Sequence, residues 1–125
     1  MRKIIFVLAI LLNLSCEDRL SKEKYDVKFY LTNKTKATIP EIKVESITTI
    51  KKVWSFKNVE PGKVETLSFN IKRDLGVSEG GFLITAYLNE KDSLQLNDGY
   101  FTNGQYLDAV STKFSIYENK IEGEK

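Results

Sequence analysis

The chain has 125 residues, with 19 Lys and Arg against 17 Asp and Glu, a formal net charge of +2, no histidine and one cysteine. That length suits one small domain, and so even a charge balance lacks the basic field with which nucleic-acid-binding proteins gather phosphates. Without histidine or a second cysteine there is no His/Cys zinc site, no Ser-His-Asp or Cys-His device and no internal disulfide, so a core alone must hold the fold.

The first sixteen residues read as an export address. Arg2 and Lys3 are basic, and Ile4 to Leu12 is an unbroken apolar run of nine, the length of a secretory h-region and well short of the roughly 20 residues that span a bilayer. Asn13, Leu14 and Ser15 lead to Cys16. This order resembles the lipobox of bacterial lipoproteins, although Asn13 stands where that family prefers an aliphatic residue. The resemblance implies cleavage before Cys16, so that residues 1–15 are a signal peptide, and acylation of Cys16 with palmitate-like chains. It also implies an exported protein anchored to the cell envelope; Glu17 and Asp18, just after the cysteine, resemble sorting or surface-export signals of some bacterial lipoproteins, which would place it in the outer membrane and at the surface, with an acidic soluble spacer as the alternative reading. At about 0.8 kcal/mol per buried methylene, two or three acyl chains hold a protein on a membrane without any segment crossing it. The alternative is an ordinary secretory signal with an incidental cysteine. Losing Arg2 and Lys3 takes Lys plus Arg from 19 to 17, equal to the acids, so the remaining chain is neutral.

Residues 16–24 carry the cysteine and a charged stretch, Glu17-Asp18-Arg19-Leu20-Ser21-Lys22-Glu23-Lys24, which is expected to act as a tether of about 25 Å if extended. From Tyr25 the pattern changes. Tyr25, Val27, Phe29 and Leu31 alternate with Asp26, Lys28, Tyr30 and Thr32, the period-2 signature of a half-buried strand. Asn33 to Lys36 is turn-prone, and Ile39, Ile42 and Val44 mark a second strand with Pro40 near its start. Ile47 to Phe56 alternates imperfectly across Lys51-Lys52, which points to a bulge or two short pieces. Glu60-Pro61-Gly62-Lys63 is a turn, Pro presetting φ and Gly supplying the freer position. Val64, Leu67, Phe69 and Ile71 are assigned to the next strand, and Leu75 to Gly81 to a loop.

Phe82 to Leu88 is the most apolar run after the leader and is expected to lie centrally, covered on both faces. Asn89 to Asp92 turns the chain. Asn97-Asp98-Gly99 and Asn103-Gly104 are read as hairpin or tight-loop signals. Phe114, Ile116 and Ile121 make a closing strand, and residues 122–125 a frayed tail. Short strands at intervals of about ten residues predict an all-β antiparallel sandwich of 6–8 strands over residues 25–121, with a small up-and-down barrel as the alternative. The passage from Tyr25 to Ile71 resembles immunoglobulin-like and fibronectin-like accessory domains of bacterial envelope proteins: strand, Asn-bearing turn, strand, then a Pro-Gly turn feeding Leu67-Ser68-Phe69-Asn70-Ile71. That resemblance is architectural and implies no residue-level function.

Three clusters are candidates for chemistry. Tyr100, Phe101 and Tyr106, set about two Gly turns, would contact a protein or glycan partner if their loop projects, and would cap the core if it folds back. Asn97, Asp98, Asn103 and Asp108 carry oxygens of the kind calcium takes, but in no EF-hand spacing, and turn formation is the preferred reading; no metal or cofactor is expected. Asp92-Ser93-Leu94 resembles a short O-glycosylation sequon of exported proteins. The sequence therefore predicts a non-catalytic binding or assembly module anchored to the envelope, with no nucleic-acid partner. A carrier of a hydrophobic ligand and an enzyme without His or Cys chemistry are the competing classes.

Overall fold

The computed structural model describes residues 27–49, 51–102, 105–106 and 112–124, the pair 105–106 by backbone alone. Its strands are β1 (Val27–Asn33), β2 (Ile39–Ile47), β3 (Val53–Val59), β4 (Val64–Phe69), β5 (Gly80–Tyr87), β6 (Ser93–Thr102), β7 (Gln105–Tyr106), β8 (Lys113–Ile116) and β9 (Ile121–Glu124). They form two sheets, ordered β4-β1-β8-β9 and β3-β2-β5-β6-β7. Every neighbouring pair is antiparallel except β1 with β8. Neither sheet closes on itself, so the architecture is a β-sandwich and the barrel alternative falls. In a constant-type immunoglobulin domain the first two strands share a sheet; here β1 and β2 lie in opposite sheets, and the likeness is one of layers.

Alternation decides what each strand buries. In β1, Val27, Phe29 and Leu31 face inward while Lys28 and Tyr30 face water. Phe29 is the centre of the core, meeting Phe69, Phe82 and Phe114 edge-on at centroid distances of 5.5, 5.1 and 5.3 Å. Edge-to-face rings set the positive rim of one against the negative face of another, and each pair adds about 0.5–1.5 kcal/mol beyond burial. β5 occupies the middle of its sheet, as its apolar run predicted, with Phe82, Ile84 and Ala86 inward, but it is not covered on both faces: no described element packs over the outer one, where Thr85 is buried and Leu83 and Tyr87 stay partly exposed. Strict alternation would put Ile39 and Ile42 on opposite faces, yet both are buried. Between the pairs Ile39↔Val59 and Glu41↔Lys57, Asn58 takes φ +52, and the two strands change face together there. Asn tolerates that left-handed backbone better than most residues.

Several expectations are corrected. Ile71 does not continue β4 but opens a five-residue π turn, Ile71–Leu75. Asn70 Oδ1 accepts from Arg73 N at 3.0 Å, and Asp74 Oδ2 accepts from Asn70 N at 2.8 Å, a reciprocal cap that satisfies otherwise orphaned amides. Asn97-Asp98-Gly99 is no turn, because β6 runs straight through it. Gly81 pairs with Tyr100 and Phe82 with Asp98, leaving Gly99, at φ +80, as the extra residue of a β-bulge. Residues 122–124 are not frayed but pair with β8 from Glu122↔Ser115 to Glu124↔Lys113. Lys51-Lys52 separates two strands, and Glu60 to Lys63 is a turn closed by Lys63 N donating to Glu60 O at 3.0 Å, with Gly62 at φ +80.

Candidate functional site

The aromatic cluster chosen from sequence divides at the sheet. In β6 alternate residues face opposite ways, so Phe101 is fully buried against Phe82, 5.7 Å between centroids, while Tyr100 remains 47% exposed on the outer face. Phe101 is therefore a core residue rather than a partner contact. Tyr106 pairs with Phe101 through the backbone, and its side chain lies outside the described residues. Cys16, Asn103 and Asp108 also lie outside them. Asp98 turns its carboxylate onto its own strand, accepting from Gly99 N at 2.6 Å. Asp92 accepts from Asn89 Nδ2 at 3.0 Å within the β5–β6 turn, which leaves Ser93 exposed at the start of β6.

Sequence reasoning missed a groove of about 600 Å³ on the outer face of the four-stranded sheet. It follows from register. Tyr30 on β1 stands beside Lys113 on β8, which stands beside Glu124 on β9, and in the next row Val64 flanks Thr32 and Thr32 flanks Ser115. Tyr117 and Lys34 close one end, and Lys120 Nζ lies 5.6 Å from the Tyr117 ring centroid, a cation–π distance. The walls are two phenol rings, hydroxyls and both signs of charge. Rings that carry a polar tip favour contact with polar surfaces such as peptides or sugars over enclosure of an apolar ligand. The signal was present as Tyr30, an aromatic residue in the polar phase of an alternating strand.

A smaller hollow of about 370 Å³ lies at the end of the sandwich between residues 35–39, Leu88, Asn89 and Glu118. Glu118 Oε1 accepts from Lys36 N at 3.1 Å across it. Beside it Asn33, fully buried, donates from Nδ2 to Ala37 O at 2.9 Å and Val59 O at 2.8 Å. Its Oδ1 accepts from Thr35 N at 2.8 Å and Thr35 Oγ1 at 2.7 Å.

Among the described residues two carboxylates have displaced proton affinity, and both hold their charge more firmly. Hydrogen bonds from Lys57 and Ser55, with the charge of Lys57, keep Glu41 below the usual carboxylate range. The Arg73 guanidinium, at 2.9 Å, does the same for Asp74 despite partial burial. General-acid work at neutral pH needs the opposite displacement. Among the described residues no group of three or more His, Cys, Asp or Glu is placed to hold a metal ion, and no helix is long and apolar enough to cross a membrane. Compared with known proteins, the chain matches no family model, no curated protein and no solved structure.

Proposed function

We propose that this is an exported, lipid-anchored protein of the bacterial cell envelope whose β-sandwich is a non-catalytic binding or assembly module. The observation that carries the reading is the N-terminal order of two basic residues, nine apolar residues, a short polar step and the chain's one cysteine, Cys16. A diacylglyceryl group on that one sulfur, with its two acyl chains, would fix the protein to a bilayer and explain an otherwise unpaired cysteine in an exported chain. The groove bounded by Tyr30, Val64 and Tyr117 supports a binding role, because it offers rings and hydroxyls on an open face. The sandwich interior is filled by side chains such as Phe29, Phe82 and Phe114, which favours a surface partner over a carried apolar ligand.

The mass of the protein extracted from membranes tests the anchor. An N-terminus at Cys16 carrying a diacylglyceryl group is expected, and Cys16→Ser protein should leave the membrane fraction; an unmodified N-terminus elsewhere, or unchanged retention, refutes it. For the groove, a photoreactive residue replacing Tyr30 should capture one protein or glycan partner reproducibly in intact cells while the same probe at Glu90 does not. Equal capture at both positions refutes the assignment.

A further inference from the structure

Strand registers give the sandwich two distinguishable ends. The chain enters β1 at Val27, which pairs with Phe69 at the end of β4. β2 descends to Ile47 at this same end, β3 starts up from Val53, and β5 starts at Gly80 and Gly81 opposite Phe101 and Tyr100. Ile47, Gly81 and Tyr100 thus form one row across three strands, and Val53, opposite Glu45, lies one outward-facing position further along. Gly81 bears no side chain because a Cβ there would sit 2.8 Å from the Gly99 carbonyl. The result is an apolar strip on the outer face of the five-stranded sheet, with Ile47 52%, Val53 43% and Tyr100 47% exposed. Among the described residues the other large exposed apolar ones, Tyr30 and Val64, belong to the groove on the opposite sheet.

We infer that this strip, at the end where the chain enters, rests on the lipid headgroup surface. The inference builds on the proposed acylation of Cys16. Eleven residue steps separate Cys16 from Val27, and whatever their conformation they cannot span more than about 40 Å. A domain of this size has a radius of gyration of about 13 Å, so the tether keeps the domain beside the bilayer and is attached to the domain at the end bearing Val27. Its surface has the composition of an interface. Ile47 and Val53 are aliphatic, Tyr100 has a ring with a polar tip, and the exposed Lys51 and Lys52 carry charges on apolar stems, Lys51 pairing with Glu45 at 3.4 Å. Beside the strip and in the turns next to it, Lys51, Lys52, Lys72 and Arg73 stand against Glu45, Asp74 and Glu79, a margin of one positive charge, which leans toward anionic lipid.

Trp54, the single tryptophan, follows Val53 in β3 but packs inward on Phe69 at 4.9 Å, so the reporter is placed on the strip itself, as Tyr100→Trp in a Trp54→Phe background. The test uses that protein, full length and acylated, in vesicles of phosphatidylglycerol and phosphatidylethanolamine, with and without a nitroxide quencher on the headgroup. Emission should be quenched by the nitroxide lipid, less so when phosphatidylglycerol is omitted, and the quenching should be lost when Ile47→Glu and Val53→Glu are added in a protein that still floats with the vesicles. Equal emission in both vesicles with flotation intact overturns the contact and leaves the anchor standing. Flotation lost by the parent protein overturns the anchor and this contact with it. Quenching that survives the two added substitutions overturns the assignment to these residues. Ile47→Ser, at an exposed position, should weaken quenching and serves if the doubly substituted protein does not fold.

Discussion

Replacing Asn33 by Asp changes one atom and is expected to remove a large part of the stability. The amide uses its full capacity, two donations from Nδ2 to Ala37 O and Val59 O and two acceptances at Oδ1 from Thr35. Its backbone donates to Lys63 O and accepts from Gly62 N as well, so three segments meet on this residue. A carboxylate keeps the shape and the acceptors but turns an oxygen toward two carbonyls that have lost their donor. Each buried group left unsatisfied costs about 1–3 kcal/mol, giving roughly 2–6 kcal/mol before desolvation of the charge is added. Against a total of about 5–15 kcal/mol that is severe. In urea unfolding at pH 7, a loss of about 4 kcal/mol divided by a slope of about 2 kcal/mol/M lowers the midpoint by roughly 2 M. The new carboxyl, raised in the fold by burial and by the facing carbonyls, would bind its proton more tightly folded than unfolded. The deficit is therefore full above the folded pKa and narrows as pH falls toward the unfolded value of about 4. An Asn33→Asp midpoint within 0.3 M of the parent, on the order of the method's own uncertainty, or a deficit that grows on acidification, would refute the account.

Phe29→Ala should cost about 3–5 kcal/mol in the same titration, since it empties the point where three rings meet, and a loss under about 1.5 kcal/mol would mean the neighbours collapse freely into the space. Gly81→Ala should cost about 1–3 kcal/mol, because the colliding atom is a backbone oxygen that cannot swing aside. A stability unchanged from the parent would show that the bulge yields. Asp74→Asn should lose about 0.5–1.5 kcal/mol at pH 7 through the weakened cap. Because the pairing holds the Asp74 pKa below its unfolded value, that contribution is present above about pH 4 and disappears as pH falls through the folded value, so parent and variant unfolding curves should converge in acid.

The strands were legible because their evidence is local. Val27-x-Phe29-x-Leu31 states its own inward face, and Pro61-Gly62 states its turn. What was not legible depends on partners distant in sequence. Asp98-Gly99 has the composition of a hairpin turn, and only the continued pairing of β5 through Gly80 and Gly81 makes it a bulge within one long strand. Ile71 continues the apolar phase of β4, but Asn70 and Asp74 cap each other and wind the chain after Phe69. Phe101 and Tyr100 share a composition and differ only in which side of the sheet each faces. The groove combines β1, β4, β8 and the segment after it, which the chain separates by more than eighty residues, and no window of sequence holds them together.

The sandwich layering links the two surface readings. The apolar strip lies on the outer face of the five-stranded sheet and the tyrosine groove on the outer face of the four-stranded sheet, with the phenylalanine core between them. A domain resting on lipid through Ile47, Val53 and Tyr100 would turn the Tyr30 and Tyr117 groove away from the bilayer. Had both features shared a face, membrane contact and partner binding would compete for it. Placed back to back, they would let a lipid anchor orient the domain while the groove stays open, so on this proposal loss of the strip should slow partner capture through misorientation and leave the groove's own affinity unchanged.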